Sequence, residues 1–415
     1  MASKHPLEGL RVVEFAGLAP GPFAGLVLAD WGANVIRIDR PTSSITPAVT
    51  QDYLARNKRS LAIDPKVPSG LATLKKLINN SDVLIDPFRP GVMERLGLGP
   101  DIFLGEKGSN KKLVYARLAG FSPTGRERNL AGHDINYIAL SGVLSLLPGT
   151  STEPSFPLNL LADFAGGGLL CALGILIALF ERETKSGLGQ VVQSDMVSGT
   201  RYISSFPLLQ SITASATSSP LFSDVNASPA SRMRNTLDGG APFYAVYPCA
   251  DDRWMSVGCL EPKFFAIFIE KFLKALPQDF TQGCHYWKPD LSKQNDRSQW
   301  PAMRVFFAKG FKTQSRAYWE KVFDGSDACT FPVLTPLESS KLSSSGSLTP
   351  APHPNLERTP AIPLARSFES QPLGLKAPGE DTDAILCEIG LTEEERRRLR
   401  DDGALGKAIR VGTKL

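Results

Sequence analysis

A histidine and an aspartate stand in two short segments that could between them move a proton on and off carbon. His133 lies in Ala131-Gly-His-Asp-Ile-Asn-Tyr137 and is one of four histidines in the chain. Asp163 lies in Asn159-Leu-Leu-Ala-Asp-Phe-Ala-Gly-Gly-Gly168, where it opens a glycine-rich apolar helical pattern. On opposite sides of a planar carbanion, with one proton between them, such groups can take a hydrogen from one face of a carbon and return one to the other. Each also has an ordinary explanation. A histidine can cap or pack a helix start, and aspartate is a common helix N-cap. A helix start favours the carboxylate anion, so acid chemistry at Asp163 requires something that raises its proton affinity, such as desolvation by a bound apolar chain. If a helix starts at His133, the backbone N–H groups of Asp134 and Ile135 would suit a developing oxyanion. Gly166–Gly168 would let a substrate approach the backbone closely, and plain helix packing explains them as well.

The elements that must position these groups read as an α/β fold. Short β-branched runs at Arg11–Phe15, Val35–Ile38, Leu61–Ile63, Val83–Ile85 and Leu113–Arg117 alternate with helical patterns such as Pro22–Asp30 and Ala72–Ile78. Strands separated by helices mean βαβ units and a doubly wound parallel sheet. Two long helical patterns follow, Phe164–Arg182 and Met196–Leu209, with one more strand at Gln190–Gln193. Pro242–Tyr247 and Trp254–Gly258 flank a turn and predict a hairpin, and helical patterns at Pro262–Ala275 and Ala317–Phe323 complete a smaller α+β unit. Residues 211–231 and 338–354 are Ser-rich and weakly patterned, as connections are. Thr392-Glu-Glu-Glu395 has capping-box spacing and opens a charged terminal helix.

Composition narrows the function classes. The chain has 415 residues, enough for two domains or one with an insertion, and 42% hydrophobic with 21% charged residues describes a globular protein. A net charge of +4 is too small to argue for nucleic acid. The six cysteines show no CxxC spacing, so neither a zinc site nor a disulfide framework is predicted, and a reducing setting follows. The apolar run Phe164–Phe180 falls short of the roughly 20 residues a membrane span prefers and predicts a buried core helix. The loop Gly17-Leu-Ala-Pro-Gly-Pro-Phe-Ala-Gly25 is spaced GxxxGxxxG and fails the dinucleotide fingerprint, which argues against an NAD enzyme. Arg37, Arg40, Arg56, Lys58, Arg59 and Lys66 cluster ahead of Arg89 and Arg95, where an ordinary charged surface competes with phosphate binding. The N-terminus shows no secretory signal, and the final Thr413-Lys-Leu415 approximates a peroxisomal address, with cytosol and mitochondrion as alternatives.

Beyond the two proton-carrier segments, five others resemble the 2-methylacyl-CoA racemases and, more broadly, the class III CoA-transferases. They are Leu10-Arg-Val-Val-Glu-Phe-Ala-Gly-Leu-Ala-Pro-Gly-Pro-Phe23, Leu28-Ala-Asp-Trp-Gly-Ala-Asn-Val35, Asn57-Lys-Arg-Ser-Leu61, Phe88-Arg-Pro-Gly-Val-Met-Glu-Arg-Leu-Gly-Leu-Gly-Pro100 and Leu237-Asp-Gly-Gly-Ala-Pro-Phe-Tyr244. The resemblance implies a large Rossmann-like CoA-binding domain from residues 1–210 and 355–415, a small α+β domain at 232–337, and an interlocked homodimer. It places the acid/base pair on His133 and Asp163 and an orienting acid on Glu261, contributed by the other subunit. It places nucleotide contacts on Arg40, Ile63, Asp64, Pro65, Lys66, Arg89 and Arg95. Asp134, Ile135, Asn136 and Tyr137 complete the set that binds substrate.

The activity so implied is racemisation of (2R)- and (2S)-2-methylacyl-CoA thioesters through an enolate, in support of branched-chain fatty acid or sterol side-chain oxidation. Coenzyme A is then part of the substrate, and no metal or redox cofactor is expected. The rival is class III CoA transfer, in which Asp163 attacks the thioester and carries the acyl group as a mixed anhydride. Transfer does not need a histidine at 133, so the Ala131–Tyr137 segment favours the racemase. A third reading is a silent CoA-binding scaffold, against which His133, Asp163 and Glu261 all stand.

Overall fold

The computed structural model describes residues 5–41, 53–150, 152–216, 220–226, 231–342, 346–363 and 376–406. These fall into two compact units. One comprises residues 1–141, 157–203 and 349–415, and the other residues 142–156 and 204–348. Residues 142–156 and 204–210 thus group with the second unit, although the sequence assigns them to the first domain.

In the first unit the β-branched runs become β1 (Arg11–Phe15), β2 (Asn34–Asp39), β3 (Lys58–Ala62), β4 (Val83–Asp86), β5 (Val114–Ala119) and β6 (Val191–Asp195). All neighbours are parallel, in the order β3-β2-β1-β4-β5-β6. This is the doubly wound order, whose direction of winding reverses between β1 and β4. Alternate residues face opposite sides. Val13, Ile36 and Leu84 pack with Leu74, Leu77, Ile385 and Leu399. Val12, Val35 and Val83 pack with Leu28, Cys171, Ala172 and Ile175 on the other face.

The crossovers are α1 (Pro20–Asp30) and α2 (Pro68–Asn79), both opened by proline, with the short helices α3 (Val92–Arg95) and α4 (Pro100–Phe103) and then α5 (Asp134–Ser141) further on. The glycines of the first loop lie before and within α1 and serve packing. A β-carbon on Gly25 would sit 1.6 Å from the Glu14 carboxylate, and one on Gly17 would sit 2.9 Å from Pro87. Glu14 and Lys58 form a fully buried ion pair at 2.7 Å, and the ammonium also donates to the Pro22 carbonyl at 2.8 Å.

One continuous helix runs Leu160–Ser186, π-wound over Leu160–Leu169 and Arg182–Ser186 and α-wound, as α6, over Leu170–Glu181. It is long and apolar enough to cross a membrane by length and composition. The expectation of a buried core helix holds for one face only. Cys171, Ala172 and Ile175 are buried against the sheet, while Leu169, Leu173, Ile177 and Phe180 form an outward apolar stripe, with Ile177 60% exposed. The helix α7 (Met196–Ile203) crosses this helix closely, because a β-carbon on Gly199 would meet the Gly166 carbonyl at 1.9 Å. Gly167 and Gly168 face Pro20 of α1 in the same way. Packing therefore accounts for the glycine triplet.

The chain returns to this unit at its C-terminal end. Asp381 accepts the Ser60 N–H at 2.8 Å and Glu388 pairs with Arg59, bringing α13 (Thr382–Glu388) to β3. Thr392 and Glu395 form the predicted capping box of α14 (Glu393–Asp401).

The second unit holds β7 (Tyr244–Pro248), β8 (Trp254–Gly258) and β9 (Thr330–Pro332) in one antiparallel sheet. Its helices include α8 (Ser205–Thr213), α9 (Pro262–Ala275), α10 (Trp300–Phe311), α11 (Arg316–Phe323) and α12 (Pro336–Ser340). Phe265, Phe268, Phe272, Phe307, Phe311 and Trp319 build its aromatic core. α8 and α12 each extend into a segment expected to be a loose connection.

Candidate active site

The segment carrying His133 follows β5 and ends as α5 begins. The His133 carbonyl accepts the N–H groups of Asn136 and Tyr137 at 2.8 and 3.2 Å, and the Asn136 side-chain oxygen accepts the His133 N–H at 3.0 Å. The backbone of His133 thus does the capping, which frees the imidazole. The side chain is exposed and lines a cavity.

Asp163 is not the N-cap of its helix. Asn159 holds that position and Asp163 lies inside the first π-helical turn. The N–H groups of Ala162 and Asp163, which a helix start leaves without acceptors, are taken by one oxygen of Asp134 at 2.9 and 2.8 Å. Asp163 is half-buried. Burial pushes its carboxyl above the usual carboxylate range, and the negative charge of Asp134 adds to this. A hydrogen bond from Asn159 at 3.3 Å and the charge of nearby His133 oppose it. The desolvation that acid chemistry requires is therefore supplied in part by the fold, before any substrate binds.

The cavity beside His133, about 290 Å³, lies where three strand ends meet. Leu18 follows β1, Pro87–Pro90 follow β4, and Leu118–Phe121 close β5. This is the switch point of the sheet, where doubly wound folds bind ligands outside the carboxyl ends of their strands. Tyr137 forms one wall. Its ring meets Phe121 edge-on at 5.0 Å, its hydroxyl donates to the Gly132 carbonyl at 2.5 Å, and burial raises its proton affinity. Arg89 lines the same cavity and donates to the Asn129 carbonyl at 3.1 Å. Arg128 also lines it and went unnoticed in the sequence, where nothing in its polar turn sets it apart.

The basic cluster divides into two kinds of residue. Arg37 bonds Asp39 at 2.8 Å, Arg56 bonds Asp30 at 2.5 Å, Lys58 holds Glu14, and Arg59 holds Glu388. Those four cations are used by the fold. Arg40 after β2, Lys66 after β3, Arg89 after β4 and Arg95 at the end of α3 are exposed. No ion pair engages these four among the described residues, and the first three follow strand ends on the carboxyl edge of the sheet. The Ile63 side chain is buried in the core, so only its backbone can meet a ligand, and its N–H already binds the Asp39 carbonyl at 3.1 Å. Asp64 accepts the Lys66 N–H at 2.9 Å, shaping the turn through Pro65, while its own N–H is held by the Ala404 carbonyl.

Asp134 and Ile135 are the first two residues of α5, so their N–H groups have no acceptor within the helix. Asp134 is buried, whereas the side chains of Ile135 and Asn136 are exposed. Glu261 belongs to the second unit, at the N-cap position of α9, with its carbonyl accepting the N–H groups of Phe264 and Phe265 and its side chain exposed.

The profile of CoA-transferase family III matches residues 7–382. The chain is 45% identical over 407 residues to an alpha-methylacyl-CoA racemase of Homo sapiens, spanning 95% of this chain and 96% of that protein. The corresponding racemase of Mus musculus is 44% identical over 407 residues, with the same coverage. A crystal structure of a CaiB/BaiF family protein from Brucella suis superposes with a TM-score of 0.69 at 20% identity, covering 93% of this chain and 100% of that one.

Proposed function

We propose, for a chain that belongs to CoA-transferase family III and is an isomerase by its near-full-length likeness to alpha-methylacyl-CoA racemases, that it interconverts (2R)- and (2S)-2-methylacyl-CoA thioesters. The C2 hydrogen leaves as a proton to one of His133 and Asp163, and its bonding pair passes into an enolate. The other group returns a proton to the opposite face, so the composition is unchanged and the configuration inverts. The observation that carries this reading is the tie between the two segments: Asp134, next to His133, accepts the N–H of Asp163 at 2.8 Å, and Asp163 is half-buried with its proton affinity raised by that burial. A carboxyl displaced in that direction gives up its proton less readily than an ordinary carboxylic acid, which suits a group that must hold a proton as well as take one.

The N–H groups of Asp134 and Ile135, which meet no acceptor among the described residues, support a role in holding the enolate oxygen. Arg40, Lys66, Arg89 and Arg95, with the Ile63–Pro65 turn, are the proposed contacts of the coenzyme A nucleotide. Asn136 and Tyr137 shape the thioester end, and Glu261 of the partner subunit is the proposed orienting group for His133. The two units act as a large Rossmann-like domain and a small α+β domain in an interlocked dimer, a reading supported by the outward apolar stripe of α6. No cofactor beyond the coenzyme A of the substrate is required. The peroxisome is the proposed compartment, although the terminal Thr-Lys-Leu lies outside the described residues.

Membership of a family named for CoA transfer supports a second reading, in which the Asp163 carboxylate displaces the CoA thiolate to form a mixed anhydride. A single experiment separates the two. One enantiomer of a 2-methylacyl-CoA is incubated with the protein in D2O. Inversion with deuterium at C2 supports the racemase. An untouched C2, with a hydroxylamine-trappable enzyme anhydride and dependence on an acceptor acid, would replace it with transfer.

A further inference from the structure

Asp134 stands between the two segments that carry the proton chemistry. It follows His133 directly and opens α5, while one of its carboxylate oxygens holds the N–H groups of Ala162 and Asp163 at 2.9 and 2.8 Å. The side chain is buried at 4% exposure, and its second oxygen is buried without a hydrogen-bond partner among the described residues. An unsatisfied buried acceptor costs stability, and an asparagine could accept the same two N–H groups without a full charge. A charge kept at such a place calls for a use.

We propose that the carboxylate of Asp134 is a positioning residue for the same proton transfer, a strut that sets Asp163 against the His133 segment and biases which of the two holds the shared proton. The inference rests on the racemase reading and deepens it. The geometry supplies both parts. Two hydrogen bonds to consecutive N–H groups fix the first turn of the Asp163 helix relative to the start of α5. The same carboxylate places a negative charge beside Asp163 in a half-buried setting, where like charges repel strongly and one of two acids is driven to keep its proton. Asp163 shows that influence, its proton affinity being raised by burial first and by Asp134 as well.

The other groups near Asp163 are accounted for. His133 and Tyr137 face it from the start and interior of α5. α1 and α7 pack on the same helix, but their Asp30 and Arg201 are engaged with Arg56 and with the Ser141 carbonyl. On β5 and β6, Arg117 is held by Asp86 and Glu94, and Asp195 accepts the Ser198 N–H. Asp134 is thus the acidic neighbour that can bias the Asp163 proton.

The test is Asp134→Asn, which keeps the shape and one acceptor oxygen while removing the charge. The kcat/KM profile against pH should move to lower pH by about half a unit or more for both enantiomers. A profile that coincides with wild type, whatever the loss in kcat, would overturn the inference by reducing Asp134 to a scaffold. A second measurement reads the Asp163 proton directly. In protein carrying 13C-labelled aspartate carboxyls, the Asp163 resonance should titrate at higher pH in the wild type, and in Asp134→Glu, which keeps the charge, than in Asp134→Asn. Coincident titrations in the three proteins overturn the inference. Because that titration needs no turnover, it stands even if the D2O experiment refutes the racemase reading.

Discussion

Tyr137 lies so close over Gly120 that a β-carbon on residue 120 would fall 2.4 Å from three atoms of the phenol ring. Gly120 follows the end of β5, and the Tyr137 ring is a wall of the cavity at the switch point. Gly132 makes a second such contact, at 2.8 Å from the same ring. Two glycines therefore seat one aromatic side chain four residues beyond His133. Gly120→Ala must push the ring into the cavity or tilt the start of α5. We expect kcat/KM to fall more than about tenfold, a size set by misplacing a positioned group rather than by unfolding. A variant with wild-type kcat/KM would show that the Tyr137 wall is free to move.

His133→Ala and Asp163→Ala should each remove inversion while leaving coenzyme A binding intact. General acid–base groups contribute about 10²–10⁴-fold each, and a two-base inversion needs both, so the losses should not add in the double variant. Equilibrium binding of coenzyme A and C2 deuterium exchange, measured side by side, check this. Full activity in either single variant would remove that residue from the mechanism.

The sheet was readable from sequence because its signals are local. Val12 and Val13 are both apolar because a strand covered by helices on both faces buries alternate residues on each. His133 and Asp163 were likewise marked by residue type and neighbouring sequence. The ties between segments were not readable. The bond from Asp134 to the Asp163 N–H spans 29 residues, and no local pattern announces it. The basic cluster could not be divided by composition, since Lys58 and Arg59 differ from Lys66 only through partners elsewhere in the chain. The glycine triplet suited either a ligand or a helix crossing, and the partner glycine at 199 decides for the crossing.

Asp86 ends β4 at 3% exposure, and burial pushes its carboxyl up to about 7 despite the Phe88 N–H at 2.9 Å and Arg117 at 3.8 Å. A carboxyl raised on folding binds more protons in the native state than in the unfolded one. Its favourable contribution is complete below the ordinary value of 3.8 and is lost as pH rises to about 7. Asp86→Asn cannot ionise. Its Tm relative to wild type should therefore improve between about pH 4.5 and about pH 8. A difference in Tm that stays constant across that window would place the titration of Asp86 outside it.

The buried pair Glu14–Lys58 should behave as a unit. Lys58→Met leaves a carboxylate at 0% exposure without its cation, and should cost about 3–5 kcal/mol in chemical denaturation. Glu14→Gln combined with Lys58→Met removes both charges and should recover much of that loss. Equal destabilisation in the single and double variants would mean that packing, not the stranded charge, sets the cost.

Leu169, Leu173, Ile177 and Phe180 recur on one face of a helix whose opposite face packs on the sheet. Aliphatic and aromatic side chains left 46–67% exposed in a continuous stripe mark an interaction surface rather than ordinary scatter. In the interlocked dimer proposed above, the partner subunit would cover that stripe. Ile177→Glu places a charge in the middle of it, and desolvating that charge at an interface would oppose association. Sedimentation velocity should show a dimer for the wild type and a shift towards monomer for Ile177→Glu, with inversion falling in parallel if Glu261 of the partner completes the site. A variant that remains fully dimeric would take the stripe out of the interface. A monomer that keeps full inversion would take Glu261 of the partner out of the mechanism.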